Sequence, residues 1–481
     1  MREFQRQHPV FVVHAFSKYL ILLLLPLLRS LVLLRGDVLT WVRGTWFDIL
    51  VLLAIIGAGV AQWMATRYAL REEGIFAVSG ILVRKERYIP YKNLSSIAIE
   101  EPFYLRPFRI SRLRLETDSG SAQKADLTFL LSRGQAEEII GCGADRLADL
   151  KGGPEGARSY HPRALYIAIL SLITSNTLTG VLFAATFLSQ SGKVLGEQFE
   201  RLLVNSFTRI VQILAFNIPP AAAMAAAILL GGWAIAFLMT LVSNLRFRAQ
   251  RKGRLLTVRA GIVTKKEYYL AVERINYVMF RQNLITRLCG FYSAFLNCTG
   301  YGKERNELAV LLPAVGDEEL KRSLRLLLPE YRISRRKYRP YLRTLSRFLI
   351  PPLTIMLVIV LFFGGLYLLF PRFGRTTLFF GLMAMLPAVW WLFVKIAAYF
   401  HVGIGIKEDI YTFRYTFAYA FFTVTVHKDK IARVEVRQSL FQKMSQCADV
   451  VVHTFSEKHY HLRMHNIQID EVEAFLRIFG R

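Results

Sequence analysis

The stretch Gly80-Ile81-Leu82-Val83-Arg84-Lys85-Glu86-Arg87-Tyr88-Ile89 returns as Gly261-Ile262-Val263-Thr264-Lys265-Lys266-Glu267-Tyr268-Tyr269-Leu270, 181 residues on and without a gap. Gly80, Lys85, Glu86 and Tyr88 each meet their own residue type. The register holds through Leu94 with Ile275, Ile97 with Val278 and Arg106 with Arg287. A weaker third copy lies 156 residues beyond the second. There Leu270, Ile275, Val278, Gln282 and Arg287 meet Val426, Ile431, Val434, Gln438 and Lys443, while Phe417, Phe422 and Thr423 replace the Gly and the Lys-Glu pair. Fixed offsets of this kind mark a duplicated structural unit, so the chain is expected to fold as three versions of one design.

What precedes each copy is repeated as well. Apolar runs at 16–34 and 46–65, 164–189 and 218–243, and 345–370 and 378–399 come in pairs, each near the ~20 residues a bilayer-spanning helix needs. The first run is too long for a signal peptide, lacks a small-residue cleavage site and is followed at once by a second. His8-Pro9, His161-Pro162 and Arg339-Pro340 stand shortly before the first run of each pair. Pro is tolerated in a first helical turn, so these dipeptides read as helix starts at the membrane interface.

With 53% hydrophobic residues and a net charge of +27, apolar runs beside basic clusters point to a membrane protein rather than a nucleic-acid binder. The loops inside the pairs, 35–45, 190–212 and 371–377, hold only seven of the 62 Lys and Arg. Arg246, Arg248, Arg251, Lys252, Arg254 and Arg259 follow the fourth run; Arg332, Arg335, Arg336, Lys337, Arg339, Arg343 and Arg347 precede or enter the fifth. The positive-inside rule then puts both termini and all three segments after the hairpins in the cytoplasm, with the spans in a plasma membrane. Arg246, Arg248, Arg251, Lys252, Arg335, Arg336 and Lys337 are candidate contacts to anionic headgroups, at about 1 kcal/mol each. Orienting the spans is the competing role for these clusters.

Within 190–212, Phe199, Leu202, Leu203, Ile210, Val211 and Leu214 recur at helical spacing, an amphipathic segment expected on the outer face. A cysteine from Ser191→Cys is therefore expected to react with an impermeant maleimide added to intact cells, and one from Ser119→Cys only after permeabilisation. The opposite pattern reverses the topology. Arg29 and Asp48 are placed to pair across the first hairpin, and Asn176 and Lys395 are isolated. No span carries the row of polar residues an ion path needs.

The segments 67–155, 244–335 and 400–481, separated by hairpins at 1–66, 156–243 and 336–399, are each the size of a small domain. Gly261 between Val258 and Ile262-Val263 signals a turn between strands, and Gly80 is expected in the same turn, at positive φ or in close backbone contact. Helices follow the strands: from Asp317 through Leu320, Leu324 and Leu327, from Asp470 through Val472, Phe475 and Leu476, and after Ser132 through Ile139 and Ile140. Asp or Ser at these starts suits an N-cap. Six or seven strands and one helix make an α+β domain.

Tyr411, Phe413, Tyr415, Phe417, Tyr419 and Phe421 occupy every second position, which predicts one long strand. Each ring buries roughly 150–250 Å², more than a small core absorbs six times, so at least two rings are expected outside the core. Tyr411, Tyr415 and Tyr419 are candidate contacts to a partner or membrane. Lys85 and Lys266 join them, because an exposed cross-strand Lys-Glu bridge contributes at most about 1 kcal/mol.

Catalytic signatures do not emerge: there is no GxSxG, HExxH, Walker loop or GxGxxG, and Gly300-Tyr301-Gly302-Lys303 lacks phosphate-loop spacing. His453, His459, His461 and His465 read as a solvated strand near its turn rather than a zinc site. Cys142, Cys289, Cys298 and Cys447 show no CxxC spacing and read as reduced thiols. The expectation is no enzyme, no metal and no cofactor.

A basic, His-Pro-led hairpin followed by a strand-rich domain resembles the bacterial pleckstrin-homology-like (membrane-flanked domain) multi-pass membrane proteins, and the three-copy arrangement resembles their YdbT type. The best-matched stretches are 80–106 and 261–287. The resemblance implies a fold class of membrane α-helical hairpins plus α+β. Six transmembrane helices in three pairs would each be followed by a cytoplasmic PH-like β-barrel or sandwich, two antiparallel sheets capped by a C-terminal helix. It implies no known enzyme activity and no cofactor. The function expected is a non-enzymatic scaffold or sensor of the bacterial cell envelope and its stress response. Its partner would be anionic lipid headgroups or a protein, a smaller single-domain family member among the candidates. The alternative is a transporter or lipid-handling protein using the six-helix bundle.

Overall fold

The computed structural model describes residues 4–13, 38–81, 83–117, 126–148, 158–175, 180–182, 201, 205, 206, 208, 209, 212, 220–298, 310–455 and 461–480. The run 16–34, Arg29, Asn176, His459, Ser119, Ser191, Gly300-Tyr301-Gly302-Lys303 and most of 190–212 lie outside these residues; of the last, Arg201, Asn205, Ser206, Thr208, Arg209 and Gln212 are helical and exposed.

Three versions of one unit follow each other. In the first, β1 (Gln5–Arg6), α1 (Val38–Ala65), β2 (Arg67–Leu70), β3 (Gly74–Ser79) and β4 (Lys85–Pro90) precede β5 (Leu94–Pro102), β6 (Ile110–Thr117), β7 (Leu127–Ser132) and α2 (Arg133–Ala148). In the second, β8 (Arg158–Tyr160), α3 (Ala164–Thr174), α4 (Pro220–Asn244), β9 (Arg248–Lys252), β10 (Leu255–Ala260) and β11 (Thr264–Ala271) lead to β12 (Ile275–Asn283). The short α5 (Leu284–Leu288), β13 (Phe291–Cys298), β14 (Val310–Gly316) and α6 (Asp317–Leu327) complete it. The third runs through α7 (Leu345–Leu369), α8 (Gly374–His401), β15 (Gly403–Lys407), β16 (Ile410–Phe417), β17 (Ala420–His427) and β18 (Ile431–Arg437). It ends with α9 (Leu440–Met444), β19 (Cys447–Thr454), β20 (His461–Gln468) and α10 (Ile469–Phe479). Each unit thus pairs an N-terminal meander with a three-stranded C-terminal meander and closes with a helix.

Among the described residues, four helices are long and apolar enough to cross a membrane: Trp46–Ala65, Ala226–Asn244, Leu342–Leu369 and Pro371–His401. Their apolar side chains are largely exposed, which a bilayer tolerates and water does not.

In each unit the strand before the apolar helices belongs to the sheet after them. β1 pairs with β2 and β8 with β9, and Tyr338 makes the equivalent bridge to Ile404. The X-Pro dipeptides at 8–9, 161–162 and 339–340 therefore sit where the chain leaves a sheet and turns towards its first helix, a step that Pro assists by removing a ladder donor.

The glycine expectation holds. Gly80 (φ 104°) and Gly261 (φ 93°) each directly follow the second meander strand. The single long strand over 411–421 does not form. β16 stops at Phe417, Ala418 takes φ 51°, and Phe417 pairs with Ala420 across a two-residue turn. Alternation looked unbroken because a two-residue hairpin loop does not shift the period of two. The chain reversal instead sends Phe421 to the opposite face from Phe413 and Tyr415. Asp317 and Asp470 lie in the first turns of α6 and α10, whose N-caps are Gly316 and Gln468; there they act on the helix dipole rather than as caps.

Junctions between units and two open sheet edges as the candidate functional site

The three units are not separate beads. β11 of the second unit pairs antiparallel with β5 of the first, and β17 of the third with β12 of the second. The sheets consequently run β7-β6-β5-β11-β10-β9-β8 and β14-β13-β12-β17-β16-β15. The offsets that align the repeats carry the pair Ile97–Tyr269 onto Val278–Thr425, so both junctions use one register. The cores interpenetrate too. Ala98 of β5 lies in the second unit's core, Leu255 and Ala271 reach into the first unit's, and Tyr277 and Leu284 into the third's. Joining edges removes unpaired backbone groups that would otherwise template aggregation.

Side chains at recurring positions lock each junction. Arg106 donates to the carbonyls of Ile262 and, at 2.9 Å, Val263 of the next unit. Its counterpart Arg287 lies 4.8 Å over the Phe421 ring, a cation–π contact, and burial lowers its pKa from the ordinary arginine value. Arg274 reaches back to Lys92 O at 3.1 Å, and Thr425 donates to Val278 O at 3.3 Å. Sequence reasoning aligned Arg106 with Arg287 and Lys443 without giving them a role. The signal was there, since a basic residue kept at one repeat position, close after a junction strand, marks a shared contact.

Of the strands equivalent to those that form the junctions, two have no cross-unit neighbour among the described residues: β4 at one end and β18 at the other. They are the counterparts of the strands that pair inside. β4 is nearly all exposed. Tyr88 is 45% exposed, whereas its counterpart Tyr269 packs against the first unit's core. Arg84 and Lys85 stand where β11 has Lys265 and Lys266, which lie in register with Glu101 and Glu100 of β5. Glu100 is buried, 2.8 Å from Arg114 and 3.6 Å from Arg112. On β18, Arg433 and Arg437 flank Glu435, and hydrogen bonds from Arg437 and His453 outweigh desolvation to hold its carboxyl down at about 2.

The candidate residues sort as follows. Lys85 is exposed on the open β4 edge; Glu86 pairs with Arg84 at 2.8 Å. Lys266 lies inside the first junction, and Glu267 pairs with Arg259 across the strands. Tyr411 and Tyr415 are buried in the third core, so neither offers a surface; Tyr419 and Phe417 are exposed at the turn. Arg251 is taken up by Glu330, at 2.6 and 2.8 Å, and Arg336 by the carbonyls of Phe400 and Val402 at 2.7 and 3.2 Å. These two hold the fold together rather than reach a headgroup. Arg248 is partly buried in β9, while Arg246, Lys252, Arg335 and Lys337 are exposed.

His453 and His465 face different carboxylates, Glu435 and Asp449. A depression between α7 and α8, beside the 371–373 turn, is lined mainly by Phe363, Leu366, Phe373, Phe380 and Met383. This lining, which includes Thr376 and Thr377, lies on two helices long and apolar enough to cross a membrane.

A family model described as Bacterial PH domain matches residues 12–142, 204–327 and 349–481. The UPF0699 transmembrane protein YdbT of Bacillus subtilis (strain 168) is 22% identical over 420 residues, covering 81% of this chain and 83% of that protein. No solved structure matches the chain.

Proposed function

The chain belongs to the bacterial PH domain family, and on that premise we propose that it is a membrane-anchored scaffold that offers its open β4 edge to a strand from a protein partner. The units face the cytoplasm of a bacterial cell and no catalytic step is assigned. One observation carries the reading: the strand equivalent to β4 is covered by a neighbour's edge strand in both other units. Strand addition supplies affinity through main-chain hydrogen bonds and specificity through alternate side chains. The basic pair Arg84 and Lys85 selects a strand with adjacent carboxylates, as β5 has in Glu100 and Glu101. The β18 edge of a second copy fits poorly, since the register of the internal junctions would set Lys85 against Arg437.

A peptide of the β5 sequence, residues 94–102, is expected to bind the full-length protein in detergent and to slow hydrogen exchange at the β4 amides. Arg84→Glu with Lys85→Glu is expected to weaken that binding at least tenfold, about 1.4 kcal/mol. No protection of β4, or equal binding to the doubly substituted protein, counts against the reading.

A further inference from the structure

In every unit the same two places carry exposed apolar side chains, and both lie at the ends of the spans. The first is the turn after the second meander strand: Ile81 and Val83, then Val263, then Phe417 and Tyr419. The second is the segment after the first strand of the C-terminal meander, β5, β12 or β18: Phe103, Tyr104 and Phe108, then Ile285 and Leu288, then Leu440, Phe441 and Met444. Exposed apolar groups are ordinary when scattered, but the same placement three times asks for a cause.

Strand registers fix the height of the turns. The last helix of each hairpin runs almost directly into the first meander strand, which leads away from the membrane; the second strand comes back. β16 passes Gly403, two residues after α8, at Arg414 and continues to Phe417. β10 passes Arg248 at Arg259, after which Gly261 N donates to Leu245 O and Ile262 N to Val242 O, alongside the last turn of α4. β3 passes Arg67 at Val78 and continues past α1, against which it packs. Each turn thus returns to the level of a span's end.

The second set is tied to the same level. Arg347, immediately before the apolar run of α7, donates to Phe441 O and, at 2.7 Å, to Ser445 Oγ. Arg106 holds the Ile262 and Val263 carbonyls beside α4. Arg287 lies over Phe421, whose ring is 5.4 Å from that of His401, the last residue of α8. At both junctions the segment of one unit therefore meets the turn of the next, merging two apolar sets into one. Exposed or half-exposed Arg106, Arg109, Arg287 and Lys443 border them.

We propose that these paired apolar sets are feet that enter the headgroup–acyl boundary of the bilayer on the side where the PH-like units sit, with the exposed Arg109 and Lys443 beside them among the headgroups. A bilayer is the occupant that the position dictates, because the feet stand at the height where the spans leave it. Side chains at such a boundary sit about 5–10 Å into the interface. This inference stands apart from partner binding at β4.

The test uses full-length protein with Cys142→Ser and Cys289→Ser. Single cysteines from Phe441→Cys or Phe417→Cys carry an NBD fluorophore, in nanodiscs of phosphatidylcholine and phosphatidylglycerol. Glu408→Cys, at the far end of β16 roughly 25 Å away, is the reference. Both feet are expected to show blue-shifted emission, quenched several-fold more by a lipid-borne nitroxide than by aqueous iodide, with the reverse at Glu408→Cys. Water-like emission with iodide quenching at both feet overturns the proposal. So does shielding that no lipid-borne nitroxide reaches, which would mean a protein covers them.

Discussion

Gly261→Ala is expected to cost the second unit about 2–4 kcal/mol, through left-handed strain plus displaced backbone. A Cβ at this position would stand 2.1 Å from Thr264 O and 3.3 Å from Ser243 O, both backbone atoms. No side-chain rotamer relieves such contacts. The turn must open, and it is the turn that aligns β11 with both β10 and β5. The loss should appear as faster hydrogen exchange throughout β10, β11 and β5. Gly253→Ala is the comparison: its φ is also positive, 58°, but nothing lies within 4 Å of the added carbon, so about 1 kcal/mol is expected. Equal effects at the two positions would show that close backbone approach is not what Gly261 provides. Gly80, whose Cβ would meet Val83 O at 2.1 Å, should repeat the result without reaching a junction.

Asp449→Ala should destabilise the third unit by about 3 kcal/mol, the scale for removing one member of a buried charged network. Asp449 is 3% exposed. It accepts from Gln442 Nε2 at 2.6 Å, the Asn466 amide at 3.0 Å, Arg463 Nη2 at 2.9 Å and, in the matching tautomer, His465 Nδ1 at 2.9 Å. Gln442 belongs to α9, so the network holds the helix that bears Leu440, Phe441 and Met444. Desolvation would raise the carboxyl's pKa, but His465, the Asn466 amide and Arg463 outweigh it and hold it at about 2. A folded-state pKa below the unfolded one stabilises above the unfolded value and loses that contribution as pH falls through the folded one. The contribution, on the order of 2 kcal/mol, should be complete above about pH 4 and fade towards pH 2. Unfolding of wild type and Asp449→Ala followed over that window should converge at the acid end. A constant difference would assign the effect to packing instead.

Much of this architecture could be read from residue order because its cause is local. Gly80 and Gly261 announce a turn, since few other residues tolerate that backbone; four of the apolar runs announce by length helices that could cross a membrane. The fusion of sheets could not be read in the same way. Strand pairing depends on which edges meet, and β5 gives no local sign that its partner is β11 rather than another chain. The aromatic run at 411–421 misled for a related reason: side-chain period is blind to a two-residue reversal, and only the positive φ at Ala418 distinguishes hairpin from strand. The basic clusters were legible as charge but not as individuals. Arg251 and Arg336 lie among residues that reach water, yet both are used up by internal acceptors.

The fused sheets also impose an order on biosynthesis. β5 ends at Pro102 and its cross-unit neighbour begins at Thr264, so the ribosome must add the intervening residues before that edge is covered. At about 5–20 residues per second the first unit waits on the order of 10–30 seconds with its seam open. During that interval Glu100 is held by Arg112 and Arg114 of its own unit, and a charge lodged at an uncovered edge discourages stray pairing by other nascent chains. The second unit then waits in turn for β17, through the synthesis of α7 and α8. Maturation of this protein is accordingly a relay in which each later unit delivers the strand that seals the one before it.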